Sequence, residues 1–116
     1  MLFRSGGVVD VNFNCTFVSQ KYADADARKE KVPRATLADV VAHIDHIRKI
    51  AGIDAVGIGS DFDGIECTPE GLDDVSKFPN LTRALLEKGY TAEDIRKIYG
   101  GNFLRVMRGV EMAAGK

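Results

Sequence analysis

Two aspartates close to one glycine are the residues whose types and spacing could do chemistry. Residues 61–64 read Asp-Phe-Asp-Gly and directly follow a short apolar segment, residues 53–60, that is typical of a buried strand. A carboxylate at a strand end can act as a general acid or base when it faces a substrate. The strand end aims Asp61, whereas Asp63 falls where the chain is turning and is expected to hydrogen-bond the loop backbone. Spacing alone favours a turn-forming role over catalysis.

Two histidines and two cysteines are the other candidate ligands. His43 and His46 lie three residues apart on a predicted helix and could face one metal ion. They fall away from the apolar stripe of that helix, and a catalytic zinc usually needs three protein ligands, so a solvated helix face is the better interpretation. Cys15 and Cys67 lie far apart without a C-x-x-C pair, and we interpret them as two ordinary thiols.

Two strands and four helices are predicted to position these residues. Thr36 and Asp39 match a helix amino terminus, and Gly52 ends that helix. Apolar periodicity and glycine breaks predict, in chain order, a strand at 7–13, an exposed loop at 19–35 with or without one helical turn, a helix at 36–51, a strand at 53–60, a helix at 79–88, a helix from 91 to the glycines at 100–101, and a helix from 103 onward.

This inventory contains too few strands for a complete sheet. Helix, turn, strand and acidic loop make half of an α/β repeat, which predicts an α/β fold. Parallel strands are normally flanked by further strands, because their backbone donors and acceptors must be paired. We therefore expect either that the chain completes itself by association or that it is the end of a longer protein.

Composition excludes several classes of protein. The chain has 116 residues, of which 45% are apolar, so one packed domain is expected. Sixteen Lys and Arg against 17 Asp and Glu leave a net charge of −1, which argues against nucleic acid as a partner. Arg4 and the following glycines do not fit a signal peptide, and no run is long enough to span a bilayer. A soluble protein is expected, with the cytoplasm as the default compartment.

Two families share parts of this sequence. The D-x-D-G run resembles the opening of haloacid-dehalogenase-like phosphatases, although Ile65 follows it where that family has Thr or Val. A longer match resembles the carboxyl-terminal portion of the membrane (renal) dipeptidase family of zinc peptidases and covers nearly the whole chain. Its blocks are GGVVDVNF (6–13), ADVVAHIDHI (38–47), AGIDAVGIGSDFDG (51–64), PEGLDDVSKFPNL (69–81) and GGNFLRV (100–106).

The dipeptidase resemblance implies a fold larger than this chain. Members are similar to metal-dependent amidohydrolases, with a (β/α)8 TIM barrel of about three times this length that holds two zinc ions at the carboxyl ends of its strands. Residues 1–116 would then be a carboxyl-terminal fragment of that single barrel domain. The two strands would be the seventh and eighth, and the helix with His43 and His46 would lie in the outer ring. The barrel is thus expected to be incomplete in this chain.

The resemblance also implies roles for individual residues. Asp61 matches the eighth-strand aspartate, which in the family lies beside the metal-bridging hydroxide and takes part in proton transfer or holds the substrate amino group. Phe17 falls where animal members have a tyrosine that contacts the substrate carboxylate, and we assign Phe17 and Asn12 to substrate binding. The H-x-D pair, the bridging glutamate and the two further histidines of the family have no match here, so no zinc is expected in this chain alone.

The resulting hypothesis is a zinc-dependent dipeptidase that hydrolyses dipeptides. This chain supplies Asp61 and the rim loops and is expected to be inactive by itself. The resemblance further implies a homodimer, for which no patch in the sequence argues independently. A non-catalytic interaction module from a truncated gene is the main alternative, and the phosphatase is a weaker one.

Overall fold

A pair of parallel strands organises the structure, a computed structural model that describes residues 6–31 and 33–115. Strand β1 (Val9–Asn12) pairs in parallel with β2 (Val56–Ser60) as a two-stranded sheet. The helices are α1 (Cys15–Val18), α2 (Gln20–Ala27) and α3 (Leu37–Ala51) between the strands, and α4 (Phe78–Glu87), α5 (Ala92–Arg96) and α6 (Asn102–Ala113) after them. Both predicted strands and the four predicted helices are confirmed.

Capping residues define the long helix between the strands as the sequence predicts. The Thr36 side chain accepts a hydrogen bond from the Asp39 N–H, and the Asp39 carboxylate accepts one from the Thr36 N–H. This reciprocal capping box satisfies two donors that a helix start leaves unpaired. Gly52 ends α3 at a φ of 89°, a conformation that favours glycine. Helix α3 is therefore specified by local sequence at both ends.

The predicted loop at residues 19–35 is wrong in its first half. Helix α2 occupies residues 20–27, directly after α1, so the first half of the polar segment is helical. Ser19 begins α2 by accepting a hydrogen bond from the Tyr22 N–H at 3.2 Å, and Ala25 is buried against the rest of the chain. Mixed charge resembled a solvated loop, but a side-chain cap and one buried face are sufficient for a short helix. Residues 53–55 likewise form a 3-10 turn before β2.

The core lies between the strand pair and the helices α3 and α4. Its central side chains are at most 2% exposed and belong to one contiguous apolar cluster: Val11, Phe13, Val40, Ile44, Val56, Leu81 and Leu85. Because side chains alternate along a strand, Asp10 and Asn12 face away from this core while Val11 faces it. Only one face of the sheet is thus covered by these helices.

Helix α6 is attached to the start of β2 by polar contacts. Asn102 is 3% exposed, and its side-chain amide donates to the carbonyls of Ile53 and Val56, each at 2.8 Å. The guanidinium of Arg105 donates to the Asp54 carbonyl at 2.8 Å. Asn102 is the one buried residue of α6, so these bonds fix a helix whose other side chains pack little.

Replacing Asn102 by leucine is expected to lower the free energy of unfolding by about 2–3 kcal/mol, because one buried and one part-buried carbonyl lose their donor. Urea denaturation of the two proteins measures the difference. The control is Asn80→Ala, which removes one part-buried amide donor from the Gly71 carbonyl and is expected to cost about 1 kcal/mol. Equal stability of Asn102→Leu and the parent would contradict this role for Asn102.

Apolar side chains remain exposed along α6 and beside the sheet. Phe103, Met107 and Val110 are 52%, 45% and 63% exposed and recur at helical spacing on one face of α6. Tyr99 and Val9 are also more than a third exposed. Among the described residues no third strand lies beside β1 or β2, so each strand has one open edge. No helix in residues 6–31 and 33–115 is long and apolar enough to cross a bilayer.

Candidate functional site

Asp61 lies at the carboxyl end of β2 with its side chain exposed. The two residues at this point, Ser60 and Asp61, adopt left-handed backbone conformations with φ of 44° and 71°. Each such residue costs on the order of 1–3 kcal/mol unless its surroundings impose the conformation, and strained residues of this kind cluster at functional sites. The strain turns the chain sharply after the strand. The carboxylate is thereby presented at the edge of the sheet.

The neighbouring strand contacts that carboxylate directly. The side-chain amide of Asn12, the last residue of β1, donates to Asp61 Oδ2 at 3.1 Å. The strand pairing is irregular here, because Val11 lies opposite Ile58 while Asn12 lies opposite Ser60. Such a bulge re-aims a side chain at the end of a ladder. Two residues 49 positions apart in the chain therefore meet at one strand end.

A tight turn surrounds the other carboxylate oxygen. The Gly64 N–H donates to the Asp61 carbonyl at 3.0 Å, closing a turn over residues 61–64. A Cβ atom added to Gly64 would collide with Asp61 Oδ1. An alanine at position 64 would therefore displace the carboxylate, which the D-x-D-G spacing alone does not reveal.

Asp63 has a different environment from the one expected. Its side chain is exposed, and it makes no hydrogen bond to any residue that the structure describes. The expectation that Asp63 hydrogen-bonds the loop backbone is therefore not met among these residues. The turn is closed instead by the backbone of Asp61 and Gly64. Asp63 is consequently a suitable control for charge effects near Asp61.

Phe17 lies at the same end of the sheet. It belongs to α1, which begins three residues after Asn12, and its side chain is 62% exposed. A cleft of about 400 Å³ opens beside this helix, with Asn14, Thr16 and Gly64 among its lining residues. An exposed aromatic ring in the segment that follows β1 suits a binding rim. The residues assigned from the sequence thus share one edge, where Asn12 and Asp61 are in direct contact.

The two cysteines form a disulfide, so their interpretation as ordinary thiols is wrong. Cys15 in α1 is bonded to Cys67 in the loop after β2, with 5.6 Å between their Cα atoms. The two cysteines are 52 residues apart, so the sequence alone gives no indication that they are in contact. Parallel neighbouring strands end at the same edge, so the segments that follow them come together. The disulfide joins the segment after Asn12 to the segment after Asp61 and links both sides of the rim.

The described residues do not provide a zinc site. Among them, no three His, Cys, Asp or Glu side chains come close enough to hold a metal ion. His43 and His46 lie on α3, where His46 is exposed and His43 is half-buried. Both cysteines are in the disulfide. The contact at the two strand ends joins one carboxylate to an amide, which does not fit the ligand set of a catalytic zinc.

His43 should make stability depend on pH. Burial, and secondarily the charge of His46, lowers the pKa of His43 below its usual range. The unfolded chain then binds more protons, so the free energy of unfolding falls as pH decreases through the ordinary histidine range near 6.5. The midpoint of urea unfolding, measured at pH values from about 7.5 down to about 5.5, should decrease less for His43→Gln than for the parent. His46→Gln should reduce the fall in part, and an unchanged slope in His43→Gln would contradict the assignment.

Known proteins resemble the chain in both sequence and structure. A sequence model described as membrane dipeptidase (peptidase family M19) matches residues 1–116. An uncharacterized dipeptidase of Schizosaccharomyces pombe is 45% identical over 97% of this chain and 25% of its own length. The dipeptidase aclJ of Aspergillus oryzae is 40% identical over 98% of this chain and 25% of its own length. The chain thus spans about a quarter of these relatives.

Solved structures of the same kind share this fold. A crystal structure of the dipeptidase AC, a metallopeptidase of family M19, matches with a TM-score of 0.71 at 32% identity over 85% of this chain and 27% of its own. A metallopeptidase from Rhodobacter sphaeroides, liganded with a phosphinate mimic of the dipeptide L-Ala-D-Ala, matches with a TM-score of 0.67 at 34% identity over 84% of this chain and 25% of its own. Since a family match spans the whole sequence, the chain belongs to the membrane dipeptidase family, peptidase family M19.

Proposed function

We propose that this chain is the carboxyl-terminal part of a zinc-dependent dipeptidase, to which it contributes Asp61 and the surrounding rim loops. The observation that carries the proposal is the exposed Asp61 carboxylate at the end of β2, held by Asn12 from the neighbouring parallel strand. Family membership supports a hydrolase acting on dipeptides and does not favour the phosphatase or the interaction module.

The proposed role of Asp61 is proton transfer. An ionised carboxylate within reach of an attacking water can accept its proton and return it to the leaving amine of the peptide bond. Asp61 is suited to this because it is exposed and its position is constrained. Phe17 has no hydroxyl with which to contact a substrate carboxylate, so the chain would contribute an apolar contact there.

The open edges of the structure support an incomplete barrel. Residues 1–116 would form the last two β/α units and the terminal helices of a (β/α)8 barrel, with further strands beside β1 and β2. The exposed row of Phe103, Met107 and Val110 on α6 is apolar surface that such strands would cover. A length of about a quarter of the relatives agrees with this arrangement. By itself, the chain would present strand edges that favour association.

The proposed zinc ligands lie outside these residues. The two zinc ions inferred for the complete enzyme would be held by other parts of the barrel, because the described residues lack a ligand cluster. The purified chain is therefore expected to contain no stoichiometric zinc and to hydrolyse neither L-Ala-L-Ala nor L-Ala-D-Ala. Stoichiometric metal together with turnover in the isolated chain would refute the proposal.

A chimera tests the positive part of the proposal. The matching segment of the Rhodobacter sphaeroides metallopeptidase, which is 34% identical, would be replaced by this chain. We expect the chimera to bind zinc and to hydrolyse L-Ala-D-Ala, whereas the host truncated before that segment should not. A folded, zinc-loaded chimera without turnover would contradict the assignment of this chain to the active-site rim.

A further inference from the structure

We infer that Asn12 is a positioning residue for Asp61: its side-chain amide, oriented by the backbone N–H of Asn14, holds the Asp61 carboxylate at one place on the rim. The inference rests on the proposed function, because it assigns a role within the same active site. It differs from the substrate contact that the resemblance suggested for Asn12.

Backbone geometry determines which way the Asn12 amide faces. Asn12 Oδ1 accepts a hydrogen bond from the Asn14 N–H at 2.8 Å. A backbone N–H can only donate, so the atom facing it must be the oxygen of the amide. The nitrogen is then directed away and donates to Asp61 Oδ2 at 3.1 Å. The orientation of the donor is therefore determined before any substrate is present.

The carboxylate depends on this donor because little else constrains it. Asp61 is exposed, and within residues 6–31 and 33–115 Asn12 is the one side chain that donates to it. The two backbones are joined beneath this contact, since the Phe13 N–H donates to the Ser60 carbonyl at 3.0 Å, one residue from each partner. A catalytic group must be held to within about half an ångström to be productive. Asn12 supplies this restraint from the adjacent strand.

A double-mutant cycle in the active chimera separates positioning from other roles. Asn12→Ala is expected to lower kcat about 10- to 100-fold with little change in KM, the scale of a hydrogen bond to a charged group. In an Asp61→Asn background the same substitution should lower kcat less than about threefold, because the group it positions has gone. A rise in KM, or an equal loss in both backgrounds, would overturn the inference.

A second variant moves the carboxylate without touching Asn12. Gly64 does not adopt left-handed backbone, so alanine is tolerated there, but its Cβ would displace Asp61 Oδ1. Gly64→Ala should also lower kcat in the parent and change it little in the Asp61→Asn background. Full activity of Gly64→Ala would mean that the carboxylate needs no fixed position, which contradicts the role of Asn12.

Two further measurements distinguish this inference from simple destabilisation and from failure of the proposed function. Thr36→Ala removes the capping box of α3 and should lower Tm while leaving kcat and KM unchanged. Side-chain NMR couplings in the 116-residue chain need no activity: Asp61 should occupy one χ1 rotamer in the parent and several in Asn12→Ala. Rotamer averaging in the parent would refute positioning, whereas a single rotamer in an inactive chimera would refute the proposed function alone.

Discussion

Asp61→Asn in the active chimera should lower kcat by about two to four orders of magnitude, the usual contribution of a proton-transfer group. The amide has nearly the same size as the carboxylate and occupies the same exposed strand end, but it cannot accept the proton of an attacking water. Zinc content should be unchanged, because the ligands are expected elsewhere. Steady-state hydrolysis of L-Ala-D-Ala and metal analysis on the same preparation check both statements.

Asp63→Asn is the matched control for this experiment. The substitution removes the same charge as Asp61→Asn, but two positions further along the chain. The side chain of Asp63 is exposed and has no hydrogen bond among the described residues. We expect kcat within about twofold of the parent and a change in unfolding free energy of no more than about 0.5 kcal/mol. If Asp61→Asn stays active while Asp63→Asn does not, the roles of the two aspartates are reversed.

Removal of the Cys15–Cys67 disulfide should lower the free energy of unfolding by about 4 kcal/mol. The bond closes a loop with a sequence separation of 52, and it restricts the unfolded chain far more than the folded one. Urea denaturation of the oxidised parent and of the Cys15→Ala/Cys67→Ala variant measures the difference. A loss of this size is a large fraction of the stability of a small domain.

Reduction provides the control for the cysteine variant. A dithiol reductant should shift the urea midpoint of the parent toward that of Cys15→Ala/Cys67→Ala and leave the variant itself unchanged. If the reductant leaves the urea midpoint of the parent unchanged, the disulfide does not stabilise the chain. Disulfides persist in oxidising compartments and are rare in the cytosol, so this bond argues against the cytoplasm as the default location.

Local sequence was sufficient to predict the elements that are marked by capping residues or by an apolar run. Thr36, Asp39 and Gly52 mark α3 through side-chain and backbone bonds only a few residues apart. The apolar run before Asp61 predicted β2 for the same reason. Helix α2 was missed because its mixed-charge sequence resembles a solvated loop, and the burial of Ala25 arises only in the folded chain. The order of the motifs also identified the family. Several long blocks that match one family in the same order are specific for that family, and no knowledge of contacts is needed.

The sequence by itself determined which segments form the two strands and that Asp61 follows the second, and only the tertiary structure decided what the residues at the strand ends touch. Asn12 and Asp61 are 49 residues apart, and Cys15 and Cys67 are 52 apart, so no local rule relates either pair. Pairing of β1 with β2 in parallel brings the segments that follow both strands to one edge. The disulfide and the held carboxylate are both consequences of that register, because contacts between distant residues exist only once the chain has folded.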